Sequence, residues 1–163
     1  MTPNEHIIIP VDWDIIAEMK KSNGSKLTEG TSYTVSYASG RVNVGTYKVT
    51  VKMKGNYTGT KTLTFKINPP KTTVSSLTAG TKSITVNLTK KTTQVTGYQI
   101  QYSTNKDFTD AKTKTITSNS TVKTTLSSLT SGKTYYVRVR TYKTVNDVKY
   151  YSGWSEYKYV KTK

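Results

Sequence analysis

The sequence predicts an all-β fold made of two tandem β-sandwiches, and three observations support this prediction. Apolar residues alternate with Thr, Lys and Ser along most of the chain, a two-residue period that gives each strand one buried and one solvent-facing side. Strand-favouring Thr, Val, Tyr and Ile are frequent, whereas helix-favouring Ala and Glu are scarce. Pro69-Pro70 interrupts the alternation near the middle of the 163 residues. The proline pair predicts a short linker between a first domain over 1–68 and a second over 71–163.

The clearest strand of the second half begins at Tyr135. Its apolar face holds Tyr135, Val137 and Val139, and its polar face holds Tyr136, Arg138 and Arg140. Leu129 precedes Tyr135 by six residues, with Gly132 between them. This spacing lets the tyrosine ring pack inside a sandwich while its hydroxyl bonds the backbone of the preceding turn, an arrangement called a tyrosine corner. Leu129 and Tyr135 are therefore candidate structural residues.

Seven strands are predicted in the second half, at intervals of about 10 residues. They cover 74–77, 83–88, 97–102, 113–117, 121–126, 135–142 and 157–160. The strand at 97–102, the corner and the ending Tyr151-Ser-Gly-Trp-Ser155 resemble the fibronectin type III domain. The resemblance implies a seven-stranded, Ig-like sandwich. Leu88 stands where many members have a core Trp, so Tyr98 or Tyr102 is expected to fill that volume.

Trp154 and Ser155 resemble half of the Trp-Ser repeat of cytokine-receptor members, in which arginines stack on the tryptophans. Because Arg138 and Arg140 share one strand face, a cation–π ladder with Trp154 is a hypothesis, which a distance of more than about 6 Å from Trp154 to both guanidinium groups would contradict. Two roles fit such contacts. They could reinforce the sheet surface, or they could form a ligand contact with Arg138, Arg140 and Trp154 as its binding residues.

The first half predicts a strand over 27–37 that is entered through a Gly turn, and strands over 42–54 and 60–67. Its motifs resemble small Ig-like repeats found in surface proteins of Gram-positive bacteria. The matching residues are Leu27, Gly30, Tyr33, Val35, Tyr37, Val44-Gly45-Thr46 and Gly55-Asn56-Tyr57-Thr58-Gly59. Ser32 departs from the Asp that is usual before the tyrosine. Upstream, a strand at 6–10 and a short helix or edge strand at 11–19 are expected.

The net charge of +16 is unevenly distributed. Residues 71–163 hold sixteen Lys and Arg against four acids, and residues 1–70 hold nine against five. A basic surface can attract polyanions through its long-range field. Alternatively, the lysines keep the strands soluble and discourage pairing between sheet edges. Their scattered placement favours this second interpretation.

Groups suited to catalysis or metal binding are few in this sequence. Cysteine is absent, which excludes disulfides, zinc thiolates and cysteine nucleophiles. His6 is the only histidine, and the acids Asp12, Asp14 and Glu18 match no metal-binding spacing. Asp107 and Asp110 offer too few oxygen ligands for calcium. The sequence therefore predicts neither an enzyme nor a bound metal or cofactor.

No signal peptide begins the sequence and no run approaches about 20 apolar residues, so no membrane span is predicted. The chain is either a piece of a longer exported protein or cytoplasmic, and the two resemblances favour an extracellular or cell-surface location. They imply a non-catalytic spacer or adhesion module of a bacterial surface or secreted protein. Its candidate partners are a cell-wall or host glycan, teichoic acid or another protein, and sequence-specific nucleic acid is not expected. Alternatives are accessory domains of a secreted hydrolase whose catalytic domain lies elsewhere, and direct polyanion binding.

Overall fold

The computed structural model describes residues 27–55 and 57–163. The chain divides into two compact units, Met1–Ile67 and Asn68–Lys163. All eleven regular elements in the described ranges are β-strands. The elements expected at 6–10 and 11–19, together with His6 and the acids at 12, 14 and 18, lie outside the described residues.

The described part of the first unit is an antiparallel sheet of three strands. These are β1 (Tyr33–Tyr37), β2 (Gly45–Met53) and β3 (Thr60–Ile67), in the order β1-β2-β3. Its buried apolar side chains are Tyr33, Val44, Val49, Val51 and Phe65. The buried side chains of β2 follow the expected alternation, because Val49 and Val51 lie on the same face and are fully or almost fully buried.

Two of these strands are shorter than the sequence predicts. Residues 28–32 form a turn, in which the N–H of Ser32 donates to the carbonyl of Thr28 at 2.8 Å. The segment 40–43 is also a loop, because the Tyr47 hydroxyl lies 2.9 Å from the carbonyl oxygens of both Gly40 and Asn43. Local hydrogen bonds therefore replace ladder pairing at these two strand starts.

The second unit contains two antiparallel sheets. One has the order β4-β5-β8, and the other has the order β10-β9-β6-β7 with β11 also paired to β9. The strands are β4 (Val74–Gly80), β5 (Ser83–Leu88), β6 (Gly97–Ser103), β7 (Lys112–Ile116), β8 (Lys123–Leu126), β9 (Thr134–Val145), β10 (Val148–Tyr151) and β11 (Lys158–Lys161). This is a sandwich of a three-stranded and a five-stranded sheet.

The core of the second unit lies between the inner faces of these sheets. It consists of Val74, Ile84, Val86, Leu88, Tyr98, Ile100, Ile116, Leu126, Leu129, Tyr135, Val137 and Val139. Tyr98 is fully buried, and its hydroxyl lies 2.9 to 3.0 Å from backbone atoms of Lys91 and Asn119. Tyr102 is only partly buried. Of the two tyrosines expected to fill the volume beside Leu88, Tyr98 is therefore the one that lies in the core.

The turn before β9 has the hydrogen bond that the spacing of Leu129 and Tyr135 predicts. The N–H of Thr130 donates to the Tyr135 hydroxyl at 3.0 Å, and both Leu129 and Tyr135 are buried. Thr162 adds a second tie, because its hydroxyl donates to the Thr130 carbonyl at 2.7 Å. The turn is thus held both by the strand that follows it and by the segment after β11.

The second unit has eight strands rather than the predicted seven. The difference arises because β9 continues to Val145 and returns as β10, with Tyr151 opposite Tyr142. Asn146 and Asp147 form the two-residue connection, with φ angles of 47° and 62°. Two successive left-handed residues match the twist of a tight hairpin, and Asn and Asp tolerate this conformation well.

Pro69-Pro70 lies within the second compact unit. The Thr141 hydroxyl donates to the carbonyl of Pro70 at 2.6 Å, and Thr72 just beyond is buried. This hydrogen bond fixes the proline segment against β9. The stiffness of the pair therefore helps to order the entry into the sandwich.

Gly97 allows β6 and β7 to pair beside a tyrosine ring. A Cβ at this position would collide with the carbonyl oxygen of Ile116 and would lie 3.0 Å from the Tyr142 ring. We expect Gly97→Ala to lower the free energy of unfolding by about 3 kcal/mol, since neither the backbone nor the packed ring can move freely. Urea denaturation of the full chain measures the change.

Gly132→Ala is the matched control for Gly97→Ala. Gly132 has a φ of +70°, and a Cβ at this position would have no atom within 4 Å, so the cost of the substitution is backbone strain alone. We expect about 1 kcal/mol for this variant. Equal losses for the two variants would contradict the steric explanation at Gly97.

Candidate functional site

The solvent-facing side of the five-stranded sheet in the second unit, hereafter the outer face, is organised on β9. β9 pairs with β6 along one edge and with β10 and β11 along the other. In the antiparallel register Arg138 lies opposite Gln101, and Arg140 lies opposite Gln99. Each arginine donates its Nε–H to the facing glutamine Oε1 at 2.8 Å. The glutamines therefore fix the direction of both guanidinium groups.

Five side chains form a cation–aromatic ladder on this face: Phe108, Arg138, Trp154, Arg140 and Tyr151. The Arg138 guanidinium carbon is 4.0 Å from the centre of the Phe108 ring and 4.8 Å from that of Trp154. The Arg140 carbon is 4.4 Å from Trp154 and 3.9 Å from Tyr151. Both arginines therefore make the contact with Trp154 that the sequence predicts, and each contacts a second ring as well.

The segment between β10 and β11 positions Trp154 through two serine hydroxyls. The N–H of Val139 donates to Ser155 Oγ at 3.1 Å, and the N–H of Thr141 donates to Ser152 Oγ at 3.1 Å. The serine N–H groups in turn donate to the carbonyls of the same two β9 residues, at 2.8 and 3.1 Å. The serines thus replace regular strand pairing while Trp154 between them covers the arginines.

A group of three tyrosines continues the ladder beyond Phe108. Tyr136 on β9 lies directly opposite Tyr159 on β11, with ring centres 5.8 Å apart. Tyr157 packs edge-on against Tyr136, with ring centres 5.4 Å apart, and lies 6.2 Å from Phe108. We call Tyr136, Tyr157 and Tyr159 the tyrosine group. Tyr157 is 37% exposed and Tyr159 is 67% exposed.

The five strands of this sheet are strongly cationic. They hold eight Lys or Arg residues and no Asp or Glu, whereas the three strands of the other sheet hold one lysine and no acid. Burial lowers the pKa of Arg138 from its ordinary value. Burial also lowers the pKa of Arg140, with a smaller contribution from the nearby Arg138 charge, while Tyr151 opposes the change. An arginine pKa is high enough that both groups stay charged at neutral pH.

A concavity of the second unit lies beside the tyrosine corner and has a volume of about 250 Å³. Its polar lining is largely occupied by bonds within the loop after β6. Ser103 Oγ donates to the Thr109 carbonyl at 3.2 Å and accepts from the N–H of Asn105 at 2.9 Å. Asp110, a candidate calcium ligand considered from the sequence, also lines it. In the described ranges no group of three or more His, Cys, Asp or Glu is arranged to hold a metal ion.

The predicted residues Arg138, Arg140 and Trp154 meet at one place, whereas Leu129 and Tyr135 lie in the core and the corner. Gln99 and Gln101 were not predicted as site residues. They alternate on β6, but this pattern indicates partners of the arginines only once the register with β9 is known. The role of Phe108 was also not predicted. Phe108 has a φ of 60° and is buried beneath Arg138, a placement that depends on the loop after β6.

Replacing Trp154 tests the contribution of the ladder to stability. We expect Trp154→Ala to lower the free energy of unfolding by roughly 2–3 kcal/mol, because it removes two cation–π contacts and exposes the covered arginine stems. Trp154→Phe keeps a ring at this position and is expected to lose about half as much. Denaturant unfolding of both variants measures the difference. A Trp154→Ala protein within 0.5 kcal/mol of the parent, roughly the range of ordinary surface substitutions, would show that the ladder does not stabilise the sheet.

Tyr142, which lies 6.1 Å from Tyr151 between ring centres, gives the fold a dependence on alkaline pH. Burial raises the pKa of its hydroxyl above the ordinary value of 10.0, and Tyr151 raises it further. The unfolded chain therefore ionises this tyrosine at a lower pH than the folded chain does. The stability that the neutral hydroxyl contributes is complete below about pH 10 and is lost as the pH rises through the folded pKa. We expect the stability of Tyr142→Phe relative to the parent protein to increase between about pH 8 and 11. Unfolding curves of both proteins at each pH measure this difference, and a constant difference would contradict the assignment.

No helix in the described ranges is long and apolar enough to cross a bilayer. No curated protein sequence matches this chain. Among solved structures, the chicken CNTN1 FN1–FN3 domains superpose with a TM-score of 0.52 at 22% identity, covering 74% of this chain and 43% of that one. This chain thus spans less than half of that structure. A two-domain fibronectin type III segment from chicken tenascin has a TM-score of 0.48 at 16% identity, covering 84% of this chain and 87% of that one.

The likeness to the CNTN1 domains shows the fold of this chain, and a comparison with family models shows the family to which it belongs. The family model of the fibronectin type III domain matches residues 68–157, which include Pro69-Pro70, the tyrosine corner and the whole ladder. The matched range is more than half of the sequence. The chain therefore belongs to the fibronectin type III family.

Proposed function

We propose that this chain is a non-catalytic, extracellular spacer and adhesion module of a bacterial cell-surface or secreted protein. We infer that it binds an anionic polymer through the outer face of its second unit. Fibronectin type III domains are commonly non-catalytic spacers or adhesion modules, and they are commonly extracellular. The observation that carries the binding proposal is the cation–aromatic ladder, set on five strands that contain no acid.

The ladder leaves hydrogen-bond donors available at its arginines. Each arginine uses Nε for its glutamine, and its guanidinium carbon lies within 4.8 Å of the centres of two aromatic rings. Within the described ranges the Nη atoms of Arg138 and Arg140 have no protein hydrogen-bond partner. Nη groups can bind a carboxylate or phosphate through two parallel hydrogen bonds. Because the rings and glutamines already hold them in place, little side-chain entropy is lost on binding.

The titratable groups on the strands of the outer face are Arg, Lys and Tyr. As residue types, Arg, Lys and Tyr ordinarily have pKa values of about 10 or above. General acid–base catalysis is most effective when the pKa of the catalytic group is near the working pH. The outer face is therefore suited to binding anions rather than to proton transfer.

The first unit is proposed to be an Ig-like repeat of the kind found in Gram-positive surface proteins. Several residues of the matching motif lie at positions whose burial or backbone conformation favours that residue type. Tyr33 and Val44 are buried, and Gly30 and Gly55 have φ angles of 87° and 69°, which favour glycine. A repeat of this kind would extend the chain from a surface, and the second unit would then carry the contact with the polymer.

Salt dependence and charge removal test the binding proposal. We expect the full chain to bind a polyanion such as polyglycerol phosphate or polygalacturonate, with an affinity that falls as NaCl is raised, because bound counterions are released. Arg138→Gln/Arg140→Gln should weaken binding and flatten the salt dependence by about two released ions. Biolayer interferometry at several salt concentrations measures both effects.

Lys82→Gln/Lys123→Gln is the control, since it removes the same charge from exposed positions outside the five-stranded sheet. Thermal unfolding confirms that each variant is folded at the assay temperature. If the two double variants lose the same affinity, binding is a property of the net charge and the outer face is not the site. Failure of the parent chain to bind any polyanion at low salt would refute the binding proposal.

A further inference from the structure

The tyrosine group and the ladder form one continuous row of side chains along β9. Each neighbouring pair in this row is joined by an aromatic or cation–π contact. In order, its members are Tyr159, Tyr136, Tyr157, Phe108, Arg138, Trp154, Arg140 and Tyr151. From Tyr136 to Tyr142 the strand covers about 20 Å. The row is therefore long enough for several units of an extended polymer and longer than a single small ligand requires.

The two parts of the row differ in what they offer to a ligand. The arginines offer their Nη groups, because the Nε atoms bind glutamines and each guanidinium group already contacts two of the rings of Phe108, Trp154 and Tyr151. The tyrosine group offers open ring surface, since Tyr159 is 67% exposed and Tyr157 is 37% exposed. A buried tyrosine would be explained by packing alone. Two exposed rings held in place by Tyr136 instead resemble a rigid amphipathic contact surface, which binds at low entropic cost.

The ligand that matches this row carries both anionic groups and flat apolar ring faces along one chain. Polyglycerol phosphate supplies anions for Arg138 and Arg140 but no ring for Tyr157 and Tyr159. Single-stranded nucleic acid supplies both, but its successive bases stack on successive open aromatic and guanidinium faces. Here the Tyr136 and Tyr157 rings meet at 86° and each guanidinium group already contacts two rings, so such a stack is interrupted.

We propose that the outer face binds an acidic polysaccharide, with sugar rings on Tyr157 and Tyr159 and sugar carboxylates on the Nη edges of Arg138 and Arg140. This inference rests on the proposed binding function and specifies its ligand. The carboxylates are complementary in charge to Arg138 and Arg140, and also to Lys149 and Lys161, which share the outer face by strand register. The acids Asp107 and Glu156 precede Phe108 and Tyr157 in the loops that flank the row. Lys114 and Lys158 contribute at a distance only, because each Nζ donates to a carbonyl of the other sheet, at 2.8 Å in both cases.

The test compares four probes with the full chain by biolayer interferometry at fixed salt. They are polygalacturonate, its fully methyl-esterified form, polyglycerol phosphate and an oligothymidylate of similar length. We expect polygalacturonate to bind about tenfold more tightly than polyglycerol phosphate, because only the former gains the stacking contribution. Methyl esterification should also reduce the affinity at least about tenfold by removing the charge.

Variants of Tyr159 test the stacking contact directly. Tyr159→Ala should weaken polygalacturonate binding about five- to tenfold while leaving polyglycerol phosphate binding unchanged. Tyr159→Phe keeps the ring and should bind as the parent does. Tyr37→Ala removes a tyrosine that is 37% exposed in the first unit and should have no effect. Because Tyr159 is largely exposed, we expect its variants to fold normally, and thermal unfolding of each variant checks this.

The outcomes separate this inference from the proposed function. Equal or tighter binding of polyglycerol phosphate or oligothymidylate would overturn the polysaccharide inference and leave the polyanion-binding function standing. Polygalacturonate binding that is insensitive to Tyr159→Ala would also overturn it. Binding of none of the four probes would refute the proposed function and the inference together.

Discussion

The alternation of β9 from Thr134 to Thr141 is the constraint on which the second unit depends. One set of its side chains, including Val137 and Val139, is fully buried in the core. The intervening set, including Arg138 and Arg140, carries the ladder. Because β9 also pairs with three other strands, its register fixes the positions of both faces at once. Core packing and surface chemistry are therefore specified by the same run of residues.

Much of this arrangement can be predicted from the sequence because it rests on short-range patterns. The spacing of Leu129 and Tyr135 reflects a local turn whose hydrogen bond spans only a few residues. Arg138 and Arg140 share a face by the two-residue period, and the Trp-Ser ending indicates Trp154 as their partner. The first two arrangements are set within one turn or one strand, so no knowledge of the full topology is needed for them, whereas the resemblance of the Trp-Ser ending indicates the Trp154 contact.

The remaining parts depend on long-range geometry or on local bonds that compete with strands. Phe108 reaches Arg138 because of the shape of the loop after β6, and Gln99 meets Arg140 because of an inter-strand register. Alternation also overestimates strand length before Tyr33 and before Gly45, where turn hydrogen bonds replace the ladder. Pro69-Pro70 is a further example, since composition indicates a break but cannot show that Thr141 binds the Pro70 carbonyl.

The two-residue hairpin at Asn146 and Asp147 has a consequence for how this domain can vary in length. A single-residue insertion or deletion within β9 would exchange its two faces, placing guanidinium groups in the core and valines in water. The same change at the hairpin tip would alter only a connection between strand ends that already lies at the surface. Insertions and deletions are thus compatible with the fold at the hairpin tip and incompatible with it within β9.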